Sequence, residues 1–244
     1  MPRCSDPGLV ERPVCGRFNI TSDPLTLLLM ELVGLPHPGP DNYNAAPTET
    51  IQVLRLSKNG EPELVPMRWW LTPYWSKGPS TRYSMFNAKS ETAHKSPAFR
   101  EPFKKRRCVV PVSGFYEWTR QNNQKLPYYI RPHEAHGLLL AGLWDRWRDE
   151  AADQQLESFT VLTVPAAPGM EFVHKRQPLM LSVKDARRWM NPENEDFASL
   201  IGSGLPVPMD AVPVSTHVNN ARHKDSRCVD PIGKPIAIEQ EAQQ

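Results

Sequence analysis

The chain has 244 residues, with 29 Lys plus Arg against 27 Asp plus Glu, a net charge of +2 and 39% hydrophobic residues. This is ample length for a buried core and an ordinary globular composition; no apolar run approaches the roughly 18–20 residues of a membrane helix, and the near-balanced charge argues against a uniformly basic nucleic-acid binder. The 26 prolines are roughly twice average usage and are spread along the chain, which disfavours a helical bundle because proline breaks helix interiors.

Residues 1–13 are polar and proline-rich and read as a disordered leader without the apolar centre of a secretory signal. The cysteines, Cys4, Cys15, Cys108 and Cys228, are widely spaced with no Cys-x-x-Cys pair, which predicts reduced thiols in a cytoplasmic protein and no metal site. Asp23 as N-cap and Pro24 at the first helical position predict a helix that carries Leu25, Leu28, Leu29 and Leu32 and stops at Gly34. A strand at Ile51–Leu56, a turn at Asn59-Gly60 and a return over Glu61–Trp69 predict a hairpin. Further strands are expected at Cys108–Val112, Phe115–Trp118, Tyr128–Arg131, Leu138–Gly142 and Ser158–Val164, with Asn122-Asn123 turning one hairpin. Leu179–Leu181 reads as an apolar strand, and Ser182-x-x-Asp185 opens a helix that ends before Pro192. Asp196–Ile201 predicts a short helix and Ala211–Ser215 a last strand. Many short strands with a few helices indicate a single α+β or mainly-β domain.

The even charge total hides an uneven distribution. Between Arg82 and Arg107 there are eight cations (Arg82, Lys89, Lys95, Arg100, Lys104, Lys105, Arg106, Arg107) and two anions (Glu91, Glu101), a local +6. Trp69, Trp70, Tyr74 and Trp75 lie just upstream. Cations beside planar rings suit phosphates and unstacked bases; the alternative is a solvated basic loop next to a tryptophan-rich core. Cys15-Gly16-Arg17-Phe18 places a thiol beside a cation that favours its thiolate, or else holds a small buried residue at a turn. Phe86-Asn87-Ala88-Lys89-Ser90-Glu91-Thr92 offers an amide fork, a cation and a carboxylate. In Gly114-Phe115-Tyr116-Glu117-Trp118 a carboxylate stands between rings, where burial raises its pKa towards neutrality unless it points to water. His174-Lys175-Arg176-Gln177-Pro178 holds a histidine suited to proton transfer or, equally, a solvent-facing loop histidine; His37, His94, His133, His136, His217 and His223 lack such surroundings.

The order of these motifs carries more than any one of them. Together with Tyr43-Asn44-Ala45-Ala46-Pro47-Thr48, Arg68-Trp69, and Pro213-Val214-Ser215 with Val218-Asn219, the chain from Cys15 to Ile232 resembles the SRAP family, the SOS response-associated peptidases that act as abasic-site processing proteins. The resemblance implies a single α+β domain over 15–235, with mainly antiparallel short strands and a few helices around a basic DNA-binding groove. A leader (1–14) and a tail (236–244) flank it. It implies a covalent thiazolidine crosslink to abasic sites in single-stranded DNA, formed by an N-terminal cysteine and shielding the lesion in the DNA damage response. Cys15 is then the nucleophile, Asn87 positions the sugar, Glu117 moves protons and His174 assists ring opening. Arg17, Asn44, Trp75, Lys89 and Arg176 contact DNA. No cofactor or metal is implied, and the protein is expected to be a cytoplasmic monomer that joins the nucleoid on DNA.

Three departures stand out. Cys15 is not second in the chain, and Val14 stands where the family has methionine; the thiazolidine needs a free amine, so either Val14 is expected to be the true start, read as methionine and then removed, or the leader is expected to be removed by self-cleavage between Val14 and Cys15. Lys89 replaces a usual arginine, keeping charge and losing the bidentate fork. Trp70 replaces a usually small residue and Gln177 an often apolar one. Two alternatives are a thiol peptidase acting on its own leader and a noncatalytic single-strand binder.

Overall fold

The computed structural model describes residues 14–37, 39–121, 124–202 and 204–238. Three short strands, β1 (Phe18–Ile20), β2 (Asn42–Ala45) and β5 (Asn87–Lys89), join the hairpin β3 (Thr50–Leu56) and β4 (Pro62–Trp69). The central strands are β6 (Arg107–Val112), β7 (Gly114–Gln121), β8 (Gln124–Pro132), β9 (Leu138–Asp149) and β10 (Gln154–Pro165), followed by β11 (Arg176–Pro178), β12 (Met180–Leu181), β13 (Met209–Pro213) and β14 (Ile236–Ile238). The helices are α1 (Ser22–Val33), α2 (Ser90–Ala93), α3 (Arg100–Lys105), α4 (Val183–Met190) and α5 (Phe197–Ile201), with 3-10 turns at Thr216–Asn219 and Ser226–Val229. The α+β expectation holds.

Two sheets build the molecule. One runs β14-β13-β8-β7-β1-β2. In the other, β10, β4, β3, β6 and β9 pair in turn and β9 pairs back to β10, so five strands close into a barrel. Closure removes the edges an open sheet would expose. All pairings are antiparallel except β10 with β4 and β10 with β5. Trp69 ends β4 fully buried; its ring stacks on Phe18 at 4.0 Å and 14° and lies parallel to Phe159 at 6.3 Å. It thereby ties the barrel to β1 of the other sheet. Gly114 opens β7 because a Cβ there would meet Ile130 O and the Tyr129 ring at 2.5 Å.

Most predicted elements form, several with longer bounds. The apolar stripe of α1 buries Leu25, Leu28, Leu29 and Leu32, and Gly34 ends it at φ +71° with its N–H on Met30 O. The helix start differs from expectation. Thr21 is the N-cap without a side-chain cap, and Asp41 Oδ1 accepts the Ser22 N–H at 2.7 Å from across the loop. A distant carboxylate therefore does the work expected of Asp23. Ser182 caps α4 as expected by accepting the Asp185 N–H. Ala211–Ser215 is not the last strand: β14 pairs antiparallel with β13. Its three residues are too few for an alternation signal. The expected tail starts at that strand, and 239–244, like the leader residues 1–13 and the Asn122-Asn123 turn, lie outside the described residues. Among the described residues no helix is long and apolar enough to cross a membrane.

The basic stretch is not all surface. Arg107 is 3% exposed and donates to the carbonyls of Trp189, Phe103, Lys104, Asn191 and Asn194, so it fastens the end of α4 to α3. Burial lowers its pKa to about 10. The local +6 thus contains one cation that serves the fold. Arg107→Met leaves these carbonyls unpaired and costs about 3 kcal/mol, and Arg107→Lys recovers little because a point charge cannot reach them all. Urea denaturation of the three proteins checks this; equal midpoints would contradict it.

Candidate active site

Strand pairing brings two distant residues together. β1 lies antiparallel to β7 with Phe18 opposite Phe115, and the Tyr116 N–H bonds to Arg17 O. The chain N-terminal to β1 therefore runs past Glu117. The Cys15 backbone N–H donates to Glu117 Oε1 at 2.5 Å. Cys15 is fully buried and holds φ +47°, a left-handed conformation that is unusual for a residue with a side chain.

Glu117 is 4% exposed. Burial drives its carboxyl from about 4.5 to about 8, against the opposing pull of the Cys15 and Trp118 backbone N–H groups. A carboxylic acid poised near neutrality suits proton transfer; the nitrogen it faces here is a peptide amide that donates its N–H. The thiol behaves differently from expectation. Burial, and then the charge of Glu117, push it well above its ordinary range. Arg17 does not favour the thiolate, because its guanidinium is turned to Asn44 Oδ1 at 2.9 Å and Val218 O at 3.0 Å.

Asn87 reaches the same bond from the opposite side. It sits on β5, parallel to β10 with Val161 as its partner, and its Nδ2 donates to the Val14 carbonyl. Trp69 positions this strand too, since its Nε1 donates to Phe86 O at 3.0 Å. The two atoms flanking the Val14–Cys15 peptide link are thus each held, the oxygen by Asn87 and the nitrogen by Glu117. Asn87 Oδ1 is buried without a hydrogen-bond partner among the described residues.

The remaining expected residues fall into groups. Lys89 is exposed on β5, opposite Thr163 of β10, and β11 lies against the next stretch of β10. Arg176 of β11 donates to Thr163 O and Oγ1 and grips Glu91 through two bonds of 2.8 and 2.9 Å, so its cation already has a carboxylate. Half-buried His174 accepts the Arg176 N–H on Nδ1 at 3.0 Å. The same Nδ1 lies 3.2 Å from Arg176 O, so it faces both a donor and an acceptor of that residue's backbone. Asn44 has no exposed surface, and its amide donates to the carbonyls of Val218, Asn220 and His223. As placed, it anchors a loop and supports Arg17. Trp75 is 56% exposed, with Nε1 3.4 Å from Pro97 O.

Of two departures one is fully accommodated, whereas Trp70 leaves its indole Nε1 buried without a partner among the described residues. Gln177 is buried but accepts the Ala167 N–H, and Trp70 packs on Phe86 at 5.2 Å. The loop after β13 supplies what sequence reasoning passed over. Asn219 Oδ1 accepts from Trp118 Nε1 at 2.6 Å, and His217 stacks on His223 at 3.8 Å while facing Asp225. Six residues apart in a turn, these histidines give no periodic signal. Among the described residues no group of three or more His, Cys, Asp or Glu is arranged to hold a metal ion.

The raised Glu117 carboxyl has a consequence for stability. Between about pH 4.5 and 8 the folded protein keeps this proton and the unfolded chain loses it, so stability falls as pH rises through that window, by up to a few kcal/mol. Glu117→Gln keeps an acceptor for the Cys15 N–H and removes this part of the decline. Denaturation at about pH 5 and about pH 8 checks it: the variant gains on the wild type at the higher pH, and a difference independent of pH would contradict the assignment.

Comparisons with known proteins agree on one family. A profile described as SOS response associated peptidase (SRAP) matches residues 14–221. The chain is 30% identical to "Abasic site processing protein YoqW" of Bacillus subtilis over 229 residues, covering 89% of this chain and 99% of that one. It is 33% identical to "Abasic site processing protein HMCES" of Xenopus tropicalis, covering 77% of this chain and 65% of that one. A solved structure from Bacteroides thetaiotaomicron shares the fold, with a TM-score of 0.73 at 20% identity over 89% of this chain and all of the other. The chain with the buried Cys15–Glu117 contact belongs to the SOS response associated peptidase family.

Proposed function

We propose that this protein captures abasic sites in single-stranded DNA as a covalent thiazolidine on Cys15. The observation that carries the reading is the Glu117 carboxyl, poised near pH 8, against the Cys15 nitrogen. Once the Val14–Cys15 bond is open, that nitrogen is an α-amine whose ordinary pKa is about 8. Amine and acid then exchange a proton with little cost near neutrality.

The chemistry follows in balanced steps. His174 assists opening of the sugar hemiacetal to the aldehyde. The amine adds to the aldehyde carbon, and Glu117 protonates the carbinolamine hydroxyl, which leaves as water. The Cys15 thiol adds to the resulting imine carbon, its proton passes to nitrogen, and a five-membered ring closes. A raised thiol pKa suits this order, because the amine attacks first and the thiol is delivered to an iminium at high effective concentration. Asn87 steadies the oxygen that takes the place of the Val14 carbonyl. Arg17, Lys89, Arg176 and Trp75 contact the strand, with Arg176 sharing its guanidinium between phosphate and Glu91. The protein works as a cytoplasmic monomer that joins the nucleoid on DNA.

A second reading concerns the leader. The contacts of Asn87 with the Val14 carbonyl and of Glu117 with the Cys15 nitrogen support self-cleavage as this route. The thiol attacks the Val14 carbonyl carbon, Glu117 protonates the departing nitrogen, and water hydrolyses the thioester. N-terminal sequencing of protein from its native host separates this route from translation starting at Val14, and a mature chain that retains Met1 would overturn both.

The capture reading is tested with protein beginning at Cys15 and single-stranded DNA bearing one abasic site. A heat-stable shifted band is expected on a denaturing gel and is lost in Cys15→Ala. Glu117→Ala slows capture about 100-fold without preventing binding. Unchanged capture in Cys15→Ala, or binding with no covalent band, would overturn the reading; the latter favours a noncatalytic single-strand binder.

A further inference from the structure

A cleft of about 400 Å³ lies outside the Cys15 site, lined by Tyr74, Glu101, Lys105, Arg106, Trp144, Asp145 and Arg146. Of its two acids, Asp145 is committed. Asp145 is 2% exposed and accepts the Tyr74 N–H at 3.0 Å and the Arg146 N–H at 2.8 Å. Arg146 is committed as well, to Glu157 at 2.5 Å, and with Arg55 it brackets the Trp144 ring.

Arg106 differs from these. Its guanidinium has one ion pair, Nε to Asp145 Oδ1 at 3.2 Å, and Nη2 is buried without a hydrogen-bond partner among the described residues. A cation compensated this sparsely gains from a nearby anion. Nη2 and Nε are themselves buried, and the side chain's 25% exposure, which lines the cleft, lies on its other atoms. Lys104 and Lys105 stand exposed beside it. Tyr74 is 56% exposed with the Arg106 guanidinium 6.0 Å from its ring, and Trp75 and Tyr83 are also exposed nearby in the chain. Exposed aromatic faces among cations match a single strand, whose bases stack and whose phosphates need counter-charge.

The cleft is also within reach of the lesion site. The Leu71 N–H bonds to Met85 O, two residues before Asn87. Tyr74 is three residues beyond Leu71, a step of at most about 11 Å. Asn87 and Tyr74 therefore lie within about 25 Å of each other, a span that a few nucleotides of single strand cover.

We propose that this cleft is a subsite for a nucleotide flanking the lesion, in which Tyr74 stacks on the base while Arg106 and Lys105 hold the phosphate. The proposal rests on the single-stranded DNA reading and extends it to a part of the strand that takes no part in the chemistry. Its recognition is independent of base identity, because stacking and phosphate contact read neither base edge.

Fluorescence anisotropy with an undamaged strand of about 16 nucleotides tests it without relying on capture. Tyr74→Ala is expected to weaken binding roughly 10-fold. Arg106→Gln is expected to weaken binding and to reduce the slope of log affinity against log salt by about 0.7. Tyr74→Ala is also expected to leave the capture rate of a short abasic strand of about 4 nucleotides unchanged at saturation. Should Arg106→Gln fail to fold, the exposed Tyr74→Ala decides alone. Unchanged affinity in Tyr74→Ala would overturn the proposal, as would equal slowing of short-strand capture. If no protein captures abasic DNA and the anisotropy losses still appear, the Cys15 chemistry falls and the cleft stands.

Discussion

Burial of one carboxyl against one backbone nitrogen organises the rest of this molecule. Glu117 is removed from water on β7, and the group it meets is the Cys15 N–H. An ionised carboxylate there would be expensive, so the proton stays on to about pH 8. The fold therefore gives up some stability near neutral pH to keep a proton donor beside the Cys15 nitrogen. The left-handed backbone of Cys15 is a second local cost at the same point. Strain at Cys15 and desolvation at Glu117 meet across one hydrogen bond, and features of this kind cluster at functional sites.

Trp69 maintains the geometry. One indole stacks on Phe18, three residues after Cys15, and donates to Phe86, one residue before Asn87. It thus references both sides of the Val14–Cys15 link to the same rigid point at the end of a barrel strand. The closed barrel supplies that rigidity, and β10 carries β5 and β11 on its flanks, which sets Asn87, Lys89 and Arg176 along one strand. Sites on regular elements hold their spacing better than sites on loops.

Much of the site was legible in the sequence because it travels in short motifs. Glu117 between aromatics allowed either a buried carboxyl or one turned to water, and the ordered motifs set Cys15, Asn87 and His174 in the pattern of one family. What stayed illegible depended on pairing across the chain. Nothing local distinguishes Arg107, which serves the fold, from Arg106, which lines a cleft. Nothing local shows that Asn44 is turned inward to hold carbonyls 174 to 179 positions away, or that Asp41 takes over the cap expected of Asp23. The three-residue strands β1, β5, β11 and β14 are too short for alternation to show, and they exist because longer neighbours template them. The charge total of +2 was the least informative number, since cations and acids occupy different faces and uses.

The central claim is that the Cys15 nitrogen and thiol both end on one carbon of the abasic sugar. Intact mass measurement of protein beginning at Cys15, reacted with an abasic single strand and then treated with borohydride, tests it directly. The account predicts an adduct equal to the two masses less one water, unchanged in mass by borohydride because the closed ring has no imine to reduce. In the wild type an adduct that gains two hydrogens on that treatment, or in Cys15→Ala an adduct that stays stable and unreduced, would contradict it.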